Sequence, residues 1–451
     1  MSAASDRPAA RAAALLAAVA LFAAPALSLS VRGGLNGGLL LLGMAALLWW
    51  ALVRARPPWR EARPLLIGLL AYPAVVLAQL ALFGGRLAGF DPAARFVLAC
   101  IVLLGLARLP WTHTRVFEWG CAVGAIGAAA WTVGSTAVLG DARAGNPWTN
   151  PVPFGGMALT LGFLSLGAWP QPAGAVPGAA RHAAMARLLA VVGALAGAYA
   201  CLGSQTRGSW LALVPLALLA WAMLRAPRRA AGPHPHQRPH RSASVLHTAR
   251  GRRRAAGLAA GLVLAIAGFG FAASGFVSQR VAQTLHEVGV ANTAEGRDTS
   301  TGIRLQLWRA SLLMLREHPW RGVGKGRFNE ALQPLLATGE VTAAAARPEY
   351  RHAHNDVLFA LAELGIPGGV AAVALYAGPA VFFLRRRGAR DPVRRRTAYA
   401  GLGVVAGFAV FGQTEAMWNL TMPAAFYALC VGALSARMLE RERKESPDVR
   451  D

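Results

Sequence analysis

Residues 351–384 read RHAHNDVLFALAELGIPGGVAAVALYAGPAVFFL, and they join a polar segment to a long apolar run. The polar segment covers 277–355, and the apolar run covers 360–384. About 20 consecutive apolar residues can cross the hydrocarbon core of a bilayer as a helix. The junction therefore predicts a large polar loop that ends, at a membrane boundary, in a cluster of Arg and His side chains.

The chain as a whole has the composition of an integral membrane protein. Of its 451 residues, 55% are hydrophobic and only 15% are charged, whereas soluble proteins carry about 25% charged residues. Its apolar runs lack the alternation of outer-membrane β-strands, so we expect an all-α integral membrane protein. We predict about twelve transmembrane helices, at 12–31, 35–53, 65–83, 93–108, 116–139, 152–170, 187–203, 209–224, 255–276, 360–384, 397–413 and 419–438.

The distribution of basic residues predicts the orientation of these helices. Most of the 46 Lys and Arg residues fall in segments that are cytoplasmic if the N-terminus is inside. The positive-inside rule compares short segments rather than long loops, so both termini are predicted to be cytoplasmic and the large loop to face the outside. The short outer loops carry only Arg32, Arg86, Arg95, Arg143 and Arg207.

This topology divides the chain into four parts, which are helices one to nine (1–276), the large loop with an amphipathic helix (277–355), helices ten to twelve (356–439) and a cytoplasmic tail (440–451). The net charge of +25 could also indicate a nucleic-acid-binding protein. However, the basic runs 225–254 and 385–396 flank predicted spans, where they fit anionic lipid headgroups. We therefore expect membrane lipids as partners and no nucleic acid.

The short turn between the seventh and eighth predicted spans contains Arg207. An arginine in so tight a turn stays close to membrane depth, where charged side chains pair with a partner or line a polar cavity. Ser204, Thr206 and Ser209 surround it with hydroxyl groups. The alternative, an arginine whose side chain reaches up to lipid phosphates, is equally compatible with this stretch.

A second arginine of interest, Arg304, lies near the start of a predicted amphipathic helix in the large loop. Residues 303–315 have helical spacing, and their apolar stripe consists of Ile303, Leu307, Ala310 and Met314. Arg304 lies near the N-terminal end of this helix, where the helix dipole also favours an anion. A solvated arginine on an amphipathic helix is the alternative.

The cluster at the end of the loop contains His352 and His354. Histidine is the side chain best suited to accept a proton near neutral pH. Two histidines at this spacing could also bind zinc, but no HExxH motif or acidic cluster accompanies them in the sequence, so we predict no metal. Histidines that merely lie at a membrane interface are the remaining alternative.

Taken with the residues that follow, this cluster resembles a motif of bacterial O-antigen ligases. His354-Asn355 is followed by nine residues and then by Gly365-Ile366-Pro367-Gly368. The Thr206-Arg207-Gly208 turn, the helix that carries Arg304, and the outer stretch from Arg143 to Gly155 are also similar to features of that family. The resemblance covers essentially the whole chain.

The resemblance implies a fold like that of C-type glycosyltransferases and a function in a bacterial inner membrane. The expected reaction moves a glycan from a polyprenyl-diphosphate carrier to a terminal sugar hydroxyl of lipid A-core on the periplasmic side. The resemblance also implies that the reaction requires no nucleotide, cofactor or metal. The residues carried over from the family are Arg207, Arg304 and His354.

These residues suggest a mechanistic hypothesis. Arg207 and Arg304 would clamp the diphosphate, since guanidinium groups bind phosphate through two parallel hydrogen bonds. His354 would accept the proton of the attacking hydroxyl, and in-line attack would invert the anomeric centre. Arg143 is expected to add a further contact to the donor diphosphate, and Arg351 and His352 are expected to support binding of the donor or the acceptor. The imidazole could be oriented by Asn355, Asp356 or Glu415, among which the sequence does not choose.

Other functions share parts of this hypothesis. A polysaccharide polymerase and a protein O-oligosaccharyltransferase would use the same donor, so the sequence does not separate them from a ligase. A transporter of an anionic substrate is less favoured, because the two halves of the chain show no repeat and no matched pair of broken helices. The sequence does not identify the glycan, the acceptor or the oligomeric state.

Overall fold

The computed structural model describes residues 8–53, 57–109, 115–170, 179–225, 278–279, 282–283, 285–290, 293 and 296–445. Within these residues the chain is helical and forms no β-strand. The α-helices are α1 (Pro8–Ala26), α2 (Gly34–Val53), α3 (Trp59–Phe83), α4 (Asp91–Leu106), α5 (Val116–Val133), α6 (Pro151–Ser165), α7 (Ala179–Gly203), α8 (Arg207–Leu211), α9 (Leu213–Leu224), α10 (Ser300–Glu317), α11 (Phe328–Ala337), α12 (Asp356–Leu384), α13 (Pro392–Phe411) and α14 (Thr421–Glu445). Short 3₁₀ or π turns cover Leu87–Phe90, Gly134–Val138, Leu166–Ala168 and Met417–Asn419.

Among the described residues, ten helical segments are long and apolar enough to cross a membrane. They confirm the predicted class of an all-α integral membrane protein. The predicted ninth span, 255–276, lies outside the described residues. The predicted eleventh span, 397–413, corresponds to α13 and is absent from the ten, because three arginines, Arg394, Arg395 and Arg396, occupy the first turn of that helix.

Glycines allow several helices of the bundle to approach closely. A Cβ on Gly68 of α3 would collide with the backbone of α12 at Ala374 and Gly378. A Cβ on Gly197 of α7 would likewise collide with α6 at Gly162. Small residues at helix contacts are characteristic of membrane proteins, since dispersion between closely packed backbones replaces the hydrophobic effect as the driving force.

Ion pairs join helices at one end of the bundle, the end predicted to be cytoplasmic. Arg437 of α14 contacts Glu118 of α5 at 2.6 Å, and both side chains are buried. Arg386 and Arg394 both contact Glu442 at 2.8 Å. Buried arginines paired in this way avoid the large free-energy penalty of a lone charge away from water.

At the opposite end, part of the predicted loop inserts into a kink of α12. Gly365 has a φ of 67° inside this helix, and the amide of Ile366 donates to the carbonyl of Pro319 at 2.7 Å. Lys325 donates from Nζ to Glu363 at 2.8 Å and to Asn419 at 2.7 Å, and the Lys325–Glu363 pair is buried. These contacts fix the segment 318–327 to the membrane-spanning helices.

Two compact units are distinguished by the packing of the backbone. The larger consists of Met1–Arg225 and Ile303–Asp451, and the smaller is Ala226–Gly302. Most of α10 and all later parts of the predicted loop therefore belong to the same unit as the spanning helices. The fourfold division at 276, 355 and 439 concerns topology and stays a prediction.

Candidate active site

The turn that carries Arg207 is tied to the outer loop that carries Arg143. The amide of Ala144 donates to the carbonyl of Gly203 at 2.9 Å. Arg143 donates from Nε to the carbonyl of Ser204 at 3.1 Å, although its side chain is otherwise exposed. The structure therefore joins the segment that carries Arg143 to the turn that carries Arg207.

The same turn packs against a second segment, 412–416, which follows α13. A Cβ placed on Gly208 would overlap the side chain of Thr414, so the start of α8 lies directly against this segment. Arg207 precedes Gly208 and is half-buried. The next residue along the second segment is Glu415, which is fully buried.

The segment 412–416 is also joined to the start of α12. Asn355 caps this helix, because its Oδ1 accepts hydrogen bonds from the amides of Val357 and Leu358 at 3.1 and 3.0 Å. Its Nδ2 donates to Gln413 at 3.2 Å. Helix caps of this kind stabilise by about 0.5–2 kcal/mol. Asn355 therefore fixes the backbone next to His354 rather than contacting the imidazole.

Asp356 has a similar structural role. Its carboxylate accepts hydrogen bonds from the amide of Trp418 at 2.9 Å and from the hydroxyl of Tyr376 at 2.5 Å. Its own amide donates to the carbonyl of Gly412 at 2.8 Å. Both oxygens are thus engaged by groups other than the histidines. Of the three residues that the sequence left open for orienting His354, two hold the surrounding backbone instead.

Glu415 is the residue of the three that contacts the histidines. Its Oε1 lies 3.1 Å from Nδ1 of His354 and 3.3 Å from Nδ1 of His352. The two imidazole rings have their centroids 4.5 Å apart. His354 has a φ of 50°, a left-handed conformation in which histidine is more frequent than most residues. Two imidazoles therefore converge on one buried carboxylate.

The environment of the cluster shifts the pKa values of His352 and Glu415. Burial lowers the pKa of His352 to about 4, against the opposing attraction of Glu415, and the neighbouring His354 lowers it further. For Glu415, burial acts to raise the pKa, but the close contact with His354 and the charges of His352 and His354 outweigh it, and the net shift is downward. His352 is therefore neutral and Glu415 anionic at neutral pH.

Arg304 lies on a helix that packs beside this cluster. The stripe of α10 predicted to be apolar, from Ile303 to Met314, is buried in a core that also contains Ala353 and Ala416. These two alanines directly precede His354 and directly follow Glu415. Arg304 itself is half-buried near the start of α10. The helix is thus placed against both segments that build the histidine cluster.

The remaining sequence-predicted residue, Arg351, lies at the surface. It is exposed, and its Nε donates to the carbonyl of Pro348 at 3.4 Å. Its position next to His352 leaves it at the rim of the cluster. Among the described residues, the group whose donor atoms could hold a metal ion comprises His352, His354 and Glu415, with those atoms within 4.8 Å of one another.

Some features of the site escaped the sequence analysis. Thr414, against which the Arg207 turn packs, gave no signal, because a threonine in a short polar stretch is common. The pair of Lys325 and Glu363, which anchors the loop, was not predicted from the sequence. A carboxylate such as Glu363 inside a predicted span is itself an indication of a buried partner, and this signal could have revealed the pair.

A comparison with protein families identifies part of the chain. Residues 192–373 match a family whose description is O-Antigen ligase. The match includes Arg207, Arg304 and His354, whereas Arg143 and Glu415 lie outside it. A search of curated proteins found no match.

Proposed function

We propose that this chain, which carries an O-antigen ligase domain, transfers a glycan from a polyprenyl-diphosphate carrier to a terminal sugar hydroxyl of lipid A-core. The domain supports glycan transfer of the ligase or polymerase type. The identities of the donor and of the acceptor are what we propose in addition. The observation that carries it is the imidazole of His354, which faces the buried carboxylate of Glu415 at 3.1 Å beside the segment that receives the Arg207 turn.

The donor half of the reaction requires stabilisation of a leaving diphosphate. Arg207 and Arg304 would supply it, because both lie on segments that pack against the histidine cluster and both carry a permanent positive charge. Charges held in place before the reaction are most effective in a site from which water is partly excluded. Arg143, tied to the Arg207 turn, would contribute a further contact to the donor.

The acceptor half of the reaction requires a base. A small rotation of the His354 ring would aim an N–H at Nδ1 toward Glu415, and Nε2 would then be available to accept the proton of the attacking hydroxyl. The oxygen of that hydroxyl forms the new bond to the anomeric carbon as the bond to the diphosphate breaks. Polyprenyl diphosphate leaves, and the configuration at the anomeric carbon is inverted.

The other predicted residues would assist these steps. Asn355 holds the backbone of His354 through its helix cap, and His352 shares the carboxylate of Glu415. Arg351, at the rim, would meet the negatively charged core of the acceptor. The proposed transfer needs no metal and no cofactor, because arginines replace the cation that neutralises a diphosphate in other enzymes.

The proposal places the reaction on the periplasmic face of a bacterial inner membrane. In that orientation both termini and the arginine-rich end of the bundle are cytoplasmic, as the positive-inside rule predicts. The loop 277–355 is then periplasmic, where the glycan of a translocated lipid-linked donor is accessible.

The test is an in vitro assay with purified protein, radiolabelled lipid-linked glycan and lipid A-core. We expect label on lipid A-core, with release of polyprenyl diphosphate. Label on a longer lipid-linked polymer would identify a polymerase, and label on added protein an oligosaccharyltransferase. Failure to consume the donor with any acceptor would contradict the proposed transfer.

A further inference from the structure

We infer that His352, His354 and Glu415 bind a transition-metal ion such as Zn²⁺, and that the bound ion inhibits glycan transfer. This inference goes beyond the proposed function, in which no metal takes part. The inference makes two claims, that the site binds an ion and that the bound ion inhibits transfer, and only the second rests on the proposed function. Binding of the ion depends on the geometry of three side chains and can be measured without any substrate.

Two of the three distances between the donor atoms are close to those around a tetrahedral ion. Zinc binds imidazole nitrogen at 2.0–2.1 Å and carboxylate oxygen at 2.0–2.2 Å, which in a tetrahedron places ligand atoms about 3.3–3.5 Å apart. In the structure, Oε1 of Glu415 lies 3.1 and 3.3 Å from the two Nδ1 atoms. One ligand atom from each of the three residues lies within 4.8 Å of those from the other two. Small side-chain adjustments would therefore complete the site.

The orientation of the rings also favours a shared ion over hydrogen bonds. Nδ1 of His352 and Nδ1 of His354 are buried, and within the described part of the chain neither makes a hydrogen bond of acceptable geometry. At these distances a ring N–H that pointed at Oε1 would form one. The nitrogens thus point beside the oxygen, as ligands of one ion do, and buried polar atoms without hydrogen bonds are rare.

The chemistry of the three donors selects the class of ion. Imidazole with carboxylate suits zinc, cobalt and nickel, whereas magnesium and calcium prefer oxygen ligands. Glu415 is held in place because its Oε1 also accepts a hydrogen bond from the amide of Ala416 at 3.0 Å. Two histidines and one glutamate leave a fourth position open for water.

Binding at Nδ1 would stop the proposed reaction. When a metal occupies Nδ1 of His354, the neutral ring carries its proton on Nε2, which is the atom required to accept the proton of the hydroxyl. The ion would also neutralise Glu415, so that the carboxylate could no longer stabilise a protonated ring. The same residues therefore serve either as a base or as a metal site, but not as both at once.

The binding test uses the full-length protein, purified in detergent and treated with chelator. Titration with Co²⁺ should give one bound ion per chain with the visible absorption of tetrahedral cobalt, and Zn²⁺ should displace it. His352→Gln and Glu415→Gln should each weaken binding by at least about 100-fold, since loss of supporting residues alone costs 10–100-fold. His318→Gln is the matched control, because it removes a histidine of the same loop outside the cluster.

Two outcomes would overturn the site. One is the absence of stoichiometric Co²⁺ or Zn²⁺ binding to the wild type, and the other is unchanged binding in both variants of the cluster. Each variant should elute as the wild type does in size-exclusion chromatography, which separates loss of a ligand from loss of folding. Because the two variants replace different ligands, one variant still tests the site if the other misfolds.

The inhibition test adds Zn²⁺ to the transfer assay. Chelator should leave the wild-type rate unchanged, and Zn²⁺ at the concentration that fills the site should abolish transfer equally in the wild type and in His318→Gln. Binding without inhibition would overturn the inhibitory half. Stimulation by Zn²⁺ would overturn it as well, together with the role of His354 as a base. Absence of transfer under all conditions would contradict the proposed function and leave the binding result standing.

Discussion

Arg207 is the first residue of α8 and lies between two fixed points, Gly203, which accepts from the amide of Ala144, and Gly208, which packs on Thr414. A guanidinium that starts from a fixed backbone loses less freedom when it binds a diphosphate. Its planar fork matches two phosphate oxygens, whereas a lysine ammonium offers a point charge on a flexible stem. Arg207 would therefore recognise the geometry of the diphosphate as well as its charge.

We therefore predict that Arg207→Lys loses transfer almost as completely as Arg207→Ala. Both variants should reach the membrane at the wild-type level, which immunoblotting of the membrane fraction checks. Transfer is measured with labelled donor and lipid A-core. If Arg207→Lys kept most of the wild-type rate, recognition through two parallel hydrogen bonds would be wrong.

The second prediction concerns the base and the carboxylate behind it. His354→Ala should lower the rate of transfer by about 10²–10⁴, the usual contribution of a general base, while donor binding is retained. Glu415→Gln should give a smaller loss, because the imidazole remains but its tautomer and its protonated form are no longer stabilised.

Gln413→Ala is the control for this pair, because Gln413 is exposed on the same segment and contacts Asn355 rather than the histidines. It should keep most of the activity. Rates at saturating donor and a donor-binding titration distinguish lost chemistry from lost binding. Unimpaired transfer by His354→Ala would remove this residue from the mechanism.

At the level of elements, α12 determines how the large loop meets the membrane-spanning helices. Its kink at Gly365 opens a place for the carbonyl of Pro319, and a Cβ on Gly365 would lie 2.6 Å from that oxygen. Gly365 has a φ of 67° and a ψ of −163°, a backbone region that is essentially restricted to glycine. The second half of the sequence motif thus has a packing role.

We predict that Gly365→Ala destabilises the protein more than Gly339→Ala does. Both glycines have positive φ, but a Cβ on Gly339 would meet nothing within 4 Å. Gly339→Ala therefore measures the cost of a positive φ without a collision. Gly365→Ala adds the strain of a backbone region essentially restricted to glycine and a collision with fixed backbone worth about 1–3 kcal/mol. The midpoint of thermal unfolding in detergent is the measurement, and equal shifts for the two variants would contradict the proposed packing.

The elements also show what local sequence can and cannot predict. The apolar stripe of α10 was predicted from its spacing and is buried, because helical periodicity is a property of neighbouring residues. The contact between Glu415 and the histidines joins residues about 60 positions apart, and nothing in either stretch specifies the other. For the same reason the motif around Gly365 was visible in the sequence, but its contact with Pro319 was not.

At the level of the whole molecule, the charged contacts separate into two ends of the helical bundle. Arg386, Arg394 and Arg437 form ion pairs at one end, while Lys325 and the histidine cluster lie at the other. The composition predicted the class of fold and the positive-inside rule predicted which end is cytoplasmic. The reaction proposed here requires that prediction, since donor and lipid A-core meet on the periplasmic side.

The orientation can be tested with single cysteines, because the four native cysteines are buried. Thr338 is exposed at the end with the histidine cluster, and Gly388 is exposed at the end with the arginine pairs. We predict that a membrane-impermeant maleimide labels Thr338→Cys in intact spheroplasts but labels Gly388→Cys only after lysis. Labelling of Gly388→Cys alone in intact spheroplasts would place the histidines in the cytoplasm, where the translocated donor is absent, and periplasmic ligation by this chain would then be ruled out.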